Sequence, residues 1–220
     1  MAELVTATRR LAVQELGKWI LRDTFDKAIN YAIHSSDANY AVGRACAVSR
    51  DGTYVLRVRA KAPSAPTPPG YVRVYRPVPT WKKEVTYAYV IVSSSNFDAS
   101  TFLEILLHHC TEAPYVWGVR FKIGTGYWKY LQSDGTWADG TFTFTAQQTD
   151  EAMHYGLVVN PSAGTYTALY IRGQRYDIHT LEPASGVTVI PKANYFSYGL
   201  YLETSSEVYL DFDEVGVAVL

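Results

Sequence analysis

Two stretches of this chain, Tyr54-Val55-Leu56-Arg57-Val58-Arg59 and Tyr71-Val72-Arg73-Val74-Tyr75-Arg76, alternate apolar and basic residues with a period of two. Successive side chains of an extended strand point to opposite faces, so this pattern builds strands with one dry and one wet side. Further β-rich runs follow at 84–93, 102–109, 115–123, 127–131, 154–159, 165–171, 196–203 and 208–219. Turn signals separate several of them, at Gly124-Thr125-Gly126, Ser133-Asp134-Gly135, Asn160-Pro161-Ser162-Ala163-Gly164 and Arg172-Gly173-Gln174. So many short strands joined by hairpins predict an all-β fold of two stacked antiparallel sheets. No repeat of fixed period is present, which disfavours a propeller or solenoid.

Composition narrows the partners. With 48% hydrophobic residues, 18 Tyr and 5 Trp, the 220-residue chain is too apolar to be disordered, and it fits one all-β domain of ~200–250 residues. A net charge of -1 lacks the basic footprint of a nucleic-acid binder. Apolar runs such as 87–92 fall far short of the ~20 residues that cross a bilayer, so no membrane span is expected. Arg9-Arg10-Leu11 is followed by Glu15, Lys18 and Arg22 where an export signal needs an apolar core, so no signal peptide is read. Cys46 and Cys110 lack metal-ligand spacing and are expected as two reduced, buried core thiols, with one disulfide between them as the alternative.

Residues 3–21 carry Leu4, Leu11, Ala12, Trp19 and Ile20 near helical spacing, with Arg9, Arg10, Gln14 and Lys18 largely elsewhere. This predicts an amphipathic N-terminal helix or arm over residues 1–21, ahead of a sandwich over 22–220. Its apolar stripe either packs on its own domain or docks on a neighbouring subunit through Leu4, Leu11, Trp19 and Ile20. Between the two basic strands, prolines at 63, 66, 68 and 69 forbid a central strand and predict a stiff exposed loop.

The segment from His154 to Gly173 resembles the signature hairpin of laminin G-like domains: a strand ending at Asn160, a short turn, and a second strand ending before Gly173. Leu21-Arg22-Asp23-Thr24-Phe25-Asp26 and Val208-Tyr209-Leu210-Asp211-Phe212-Asp213-Glu214-Val215-Gly216-Val217 are similar to that family's opening and closing acidic strands. The resemblance implies a concanavalin A-like jelly roll whose ends pair in one sheet.

Glucanases of that fold carry a Glu-x-Asp-x-x-Glu run that aims paired carboxylates at the sugar; it is absent here, and no catalytic residue is assigned. No cofactor is expected beyond one structural calcium, for which Asp23, Asp26, Asp211 and Asp213 are candidates against a reading as solvated strand-end carboxylates. The adjacent His108 and His109 point to opposite faces of a strand and cannot share a metal with His154 or His179. Asp211 and Asp213 share one face, with Glu214 on the other. A glycan face is suggested by Trp117, Tyr127, Trp128, Tyr130 and Trp137, since aromatic rings stack on the C–H faces of sugars. Alternation places Tyr127 and Lys129 opposite Trp128 and Tyr130, so half of that set belongs to the core.

The expected function is a non-catalytic structural or adhesion module, a homo-oligomer within a viral or phage particle of the capsid-decoration or tail-fibre kind, found on the virion or outside the cell. A lectin-like domain is the first alternative and a glycan-cleaving enzyme the second.

Overall fold

A computed structural model describes residues 18–25, 31–36, 40–46, 54–61, 70–79, 85–109, 115–149, 151–185, 194–203 and 207–220. The described chain is built from strands: β1 (Lys18–Asp23), β2 (Ala32–Ser35), β3 (Tyr40–Ala45), β4 (Val55–Lys61), β5 (Gly70–Pro77), β6 (Thr86–Asn96), β7 (Thr101–His109), β8 (Tyr115–Lys122), β9 (Tyr127–Leu131), β10 (Trp137–Asp139), β11 (Met153–Asn160), β12 (Thr165–Ile171), β13 (Gln174–Asp177), β14 (Ala184–Ser185), β15 (Tyr195–Leu202) and β16 (Glu207–Val219). They form two eight-stranded antiparallel sheets. The first runs β13-β12-β11-β6-β16-β4-β3, with β1 also on β16; the second runs β10-β9-β8-β7-β15-β5-β2, with β14 also on β8.

Alternation explains the core. Leu56, Val58 and Ala60 of β4, Val90 and Val92 of β6, and Leu157 of β11 face Val72 and Val74 of β5, Leu103, Ile105 and Leu107 of β7, and Phe196, Tyr198 and Leu200 of β15 in one apolar cluster. Tyr166 ties the layers together from β12: its hydroxyl accepts from the Gly118 amide at 2.8 Å and donates toward the carbonyls of Leu131 at 2.9 Å and Gly118 at 3.0 Å. That fixes the height of β8 and β9 over the first sheet.

The hairpin formed by β11 and β12 has the expected form, with Asn160 opposite Thr165 and the Asn160 side chain accepting from the amides of Ser162 and Ala163 at 3.1 and 3.2 Å. Gly164 adopts φ 63°, a left-handed conformation that suits glycine. The acidic ends also meet as expected, with Asp23 of β1 beside Val215 of β16.

Three expectations are corrected. Strand β1 begins at Lys18, so the boundary at residue 21 falls inside a strand: Trp19 packs on Tyr89 at 5.3 Å and Ile20 against the main core. Leu4 and Leu11 lie outside the described residues. Cys46 is exposed and not a core thiol, because it follows the edge strand β3; Cys110 lies outside the described residues. Finally, the pairing of β16 with β6 shifts register within 211–214, and this bulge breaks simple alternation. Asp211, bonded to Arg57, and Glu214, bonded to Arg22 and Tyr89, therefore share the outer face.

Candidate functional site

The outer face of the second sheet carries a charged row that follows from register alone. His34 of β2 lies opposite Arg73 of β5, Arg73 opposite Gly199 of β15, and Gly199 opposite Glu104 of β7. Glu104 lies opposite Arg120 of β8, Arg120 opposite Lys129 of β9, and Lys129 opposite Asp139 of β10. Paired residues share a face, so the row crosses seven strands.

Gly199 is what allows its centre to close. Strand β15 separates Arg73 from Glu104, and the glycine lies beneath the line between them. A Cβ at position 199 would stand 1.9 Å from the Val72 carbonyl oxygen, so only glycine fits there. The Arg73 guanidinium reaches across, donating from Nε to Oε1 of Glu104 and from Nη2 to Oε2 at 3.1 Å. Arg120 donates from Nε to the same Oε2 at 2.8 Å. Glu104 is 1% exposed. Burial would raise the pKa of its carboxyl, but the charges and hydrogen bonds of Arg73 and Arg120 outweigh burial and leave it lowered. A carboxylate held in this way is a fixed anion at neutral pH and has no proton to give as a general acid.

Arg120 has donors that its protein partners do not use. Its guanidinium carbon lies 3.4 Å from the Tyr201 ring centroid and 3.8 Å from that of Trp137. The two rings clamp the group while Nε is spent on Glu104, and both Nη groups lack a partner among the described residues. A guanidinium fixed at one edge and free at the other presents two donors to a planar anion. The neighbouring row, Tyr71, Tyr201, Phe102, Lys122 and Tyr127, adds rings and a second cation. At its margin Lys122 and Lys129 approach Glu203 at 3.3 and 3.9 Å.

The residues expected at a glycan face divide. Trp117 is 0% exposed and Trp128 2%, both in the core, and Tyr130 packs against the same core from β9. Tyr127, 59% exposed, and Trp137 stand on the outer face with Arg120 and Lys129. Arg73, Glu104, Arg120 and Tyr201 were not anticipated. A lone carboxylate inside Phe102-Leu103-Glu104-Ile105-Leu106 was the available signal, since a buried charge needs a partner.

Of the proposed calcium ligands, three fall among the described residues. Asp23 is engaged by Arg76 at 2.7 Å and Asp211 by Arg57 at 2.7 and 2.8 Å, while Asp213 is buried and Asp26 lies outside the described residues. Among the described residues no three His, Cys, Asp or Glu side chains are grouped to hold a metal ion. His108 and His109 face opposite ways as expected, His108 toward Tyr75 and His109 toward Trp117.

The two stacked antiparallel sheets form the expected concanavalin A-like jelly roll. No family model matches the chain, and no curated protein does. Solved structures do. A carbohydrate esterase from the Shiga toxin-encoding bacteriophage phi24B aligns over 92% of this chain and 98% of its own, with 8% identity and a TM-score of 0.62. An endo-β-1,4-glucuronan lyase from the fungus Trichoderma reesei aligns over 93% and 94%, with 13% identity and a TM-score of 0.53. An immunostimulatory antigen and pseudo β-1,3-glucanase of Mycobacterium tuberculosis aligns over 93% and 100%, with 12% identity and a TM-score of 0.52. At these identities the likeness establishes the fold. It also overturns the expectation of a non-catalytic chain, which rested on the missing Glu-x-Asp-x-x-Glu run. Proteins described as an esterase and a lyase are built on this same fold, so the missing run removes one arrangement of carboxylates and not glycan chemistry as a whole.

Proposed function

We propose that the chain is a glycan-active protein that takes an anionic polysaccharide across the outer face of its second sheet, with Arg120 receiving an acidic group of the sugar. One observation carries the reading: Arg120 is clamped between Tyr201 and Trp137 and bonded to Glu104, yet keeps both Nη groups for a ligand. Rings beside a guanidinium suit a uronic acid, whose C–H face stacks while its carboxylate pairs. The glucuronan lyase that shares the fold lends support.

The chemistry proposed for this face is β-elimination beside a carboxylate held by Arg120: a base takes the proton next to the carboxylate, a carbon–carbon double bond forms as the glycosidic C–O bond breaks, and the departing oxygen takes up a proton. Hydrolysis by paired carboxylates is disfavoured, because Glu104 is locked between two arginines and Asp139 and Glu203 stand at the margin. Tyr201, whose ring lies on the Arg120 guanidinium, is the candidate for both transfers, as a phenolate taking that proton and as a phenol returning it to the departing oxygen. Attachment to a larger assembly, expected from the N-terminal segment, is retained in narrower form. Trp19 and Ile20 pack within the domain, so docking would fall to Leu4 and Leu11.

Affinity electrophoresis tests the reading. The chain should be retarded in gels containing polyglucuronate or alginate and run freely in dextran. Trp137→Ala, which removes one jaw of the clamp, should weaken retardation about tenfold. Equal mobility in all three gels refutes anionic recognition.

A further inference from the structure

The row that carries Arg120 continues past Glu104 to Arg73 of β5 and His34 of β2, and rings gather at that end as well. Tyr71 and Tyr75 flank Arg73 along β5 and, being two residues to either side of it, share its outer face. The guanidinium carbon of Arg73 lies 4.3 Å from the Tyr71 ring centroid, and the His34 ring stands 5.4 Å from Tyr71 and 6.3 Å from Tyr75. A hydrogen bond of 3.3 Å joins the Tyr71 hydroxyl to His34 Nδ1. His34 is exposed, and Tyr71 and Tyr75 are half-buried.

Both arginines that hold Glu104 therefore carry rings, Arg120 those of Tyr201 and Trp137 and Arg73 that of Tyr71. They differ in what they leave over. Arg73 gives Nε and Nη2 to Glu104, so this end of the row offers ring faces and an imidazole edge in place of a charged fork. Such a surface suits the C–H face and the hydroxyls of a sugar, with its carboxylate turned to solvent. The first sheet also has rings on its outer side, but there Tyr87 and Tyr89 are 2% and 4% exposed, packed with Trp19 and Tyr170, whereas His34 is open to solvent. Position matters as well. Tyr71 lies opposite Tyr201, the jaw on Arg120, and β2 follows β5 in the sheet. At about 4.8 Å per strand, Tyr71 and His34 stand about 5 and 10 Å beyond that jaw. A sugar held by its carboxylate on Arg120 does not cover them, but the next sugar of the same chain does.

We propose that His34 and Tyr71 form a second sugar subsite, in which the Tyr71 ring stacks on the sugar linked to the one at Arg120 and the imidazole edge of His34 bonds its hydroxyls. This rests on the reading of the outer face as a polysaccharide site and deepens it. The ligand is recognised as a chain, at one unit by its acid group and at the next by its apolar face, so a single uronic acid uses only half of the surface.

The test titrates the full chain with glucuronic acid and with a glucuronate tetrasaccharide, followed by NMR, in the parent and in His34→Ala, Tyr71→Ala and Tyr71→Phe. The parent should bind the tetrasaccharide about tenfold more tightly than the monosaccharide. His34→Ala and Tyr71→Ala should each weaken the tetrasaccharide about fivefold and leave the monosaccharide unchanged, while Tyr71→Phe, which keeps the ring, should stay within about twofold of the parent. His34→Ala alters an exposed side chain on an edge strand, so it decides the matter even where Tyr71→Ala disturbs packing. Variants that bind the tetrasaccharide as tightly as the parent, or that lose both ligands alike, overturn the subsite and leave the site at Arg120 standing. A parent that binds neither ligand sinks the functional reading, and the subsite with it.

Discussion

Replacing Glu104 by glutamine is expected to lower the free energy of unfolding by about 3–5 kcal/mol, because two guanidiniums would be left facing each other without their counter-ion. Side-chain exposure is 1% for Glu104, 8% for Arg120 and 19% for Arg73, so little solvent is at hand to replace the lost charge. Urea unfolding at neutral pH measures the loss. The acid limb of stability should change as well. The folded Glu104 pKa is lowered from an ordinary 4.5, so its contribution is complete above that value and is lost as pH falls through the lowered one. His108 acts in a higher window: its pKa drops from 6.5 to about 4 on folding, so stability declines as pH falls from 6.5 toward 4. Glu104→Gln should abolish the lower loss and spare the upper one. A variant as stable as the parent at every pH would mean that the central ion cluster is not formed.

Arg120→Leu is expected to weaken retention of polyglucuronate about 100-fold, the scale of a desolvated guanidinium–carboxylate contact. Stability should fall far less than in Glu104→Gln, since Glu104 keeps both hydrogen bonds from Arg73. Arg120→Lys should not restore binding. An ammonium lacks the planar fork, and it cannot fill the slot between Tyr201 and Trp137 while bonding Glu104 and leaving two donors outward. If unsaturated products accumulate in the parent reaction, Arg120→Leu should also stop their appearance, and Tyr201→Phe should do so with retention largely kept. Retention that survives Arg120→Leu places the anion elsewhere.

Strands with strong alternation or strong turn punctuation were legible in the sequence. The runs 127–131 and 165–171 coincide with β9 and β12, and the basic strands around Arg57 and Arg73 have the dry and wet sides their pattern requires. Short edge strands such as β2, β10 and β13 were not, because three or four residues give no period to read. The bulge in β16 was equally hidden, since one extra residue leaves composition unchanged while reversing which carboxylates share a face. The candidate site was harder still. Arg73 and Arg120 stand 31 and 16 residues from Glu104, and nothing local ties them together. They meet because β5, β15, β7 and β8 are neighbours in one sheet, and an arginine that reads as a solvated strand residue becomes buried only when that sheet is assembled. Trp117 and Trp128 show the opposite case, rings suited to a sugar that strand parity directs into the core.

The central claim, that the outer face of the second sheet holds an anionic sugar chain through Arg120, is tested most directly by a crystal structure of the chain with an oligosaccharide of glucuronic acid. The account predicts a sugar carboxylate on the two Nη groups of Arg120, its ring beside Trp137 and Tyr201, and the chain running over β7, β8 and β15. An oligosaccharide bound on the first sheet, or one on the second sheet with Arg120 left untouched, contradicts it.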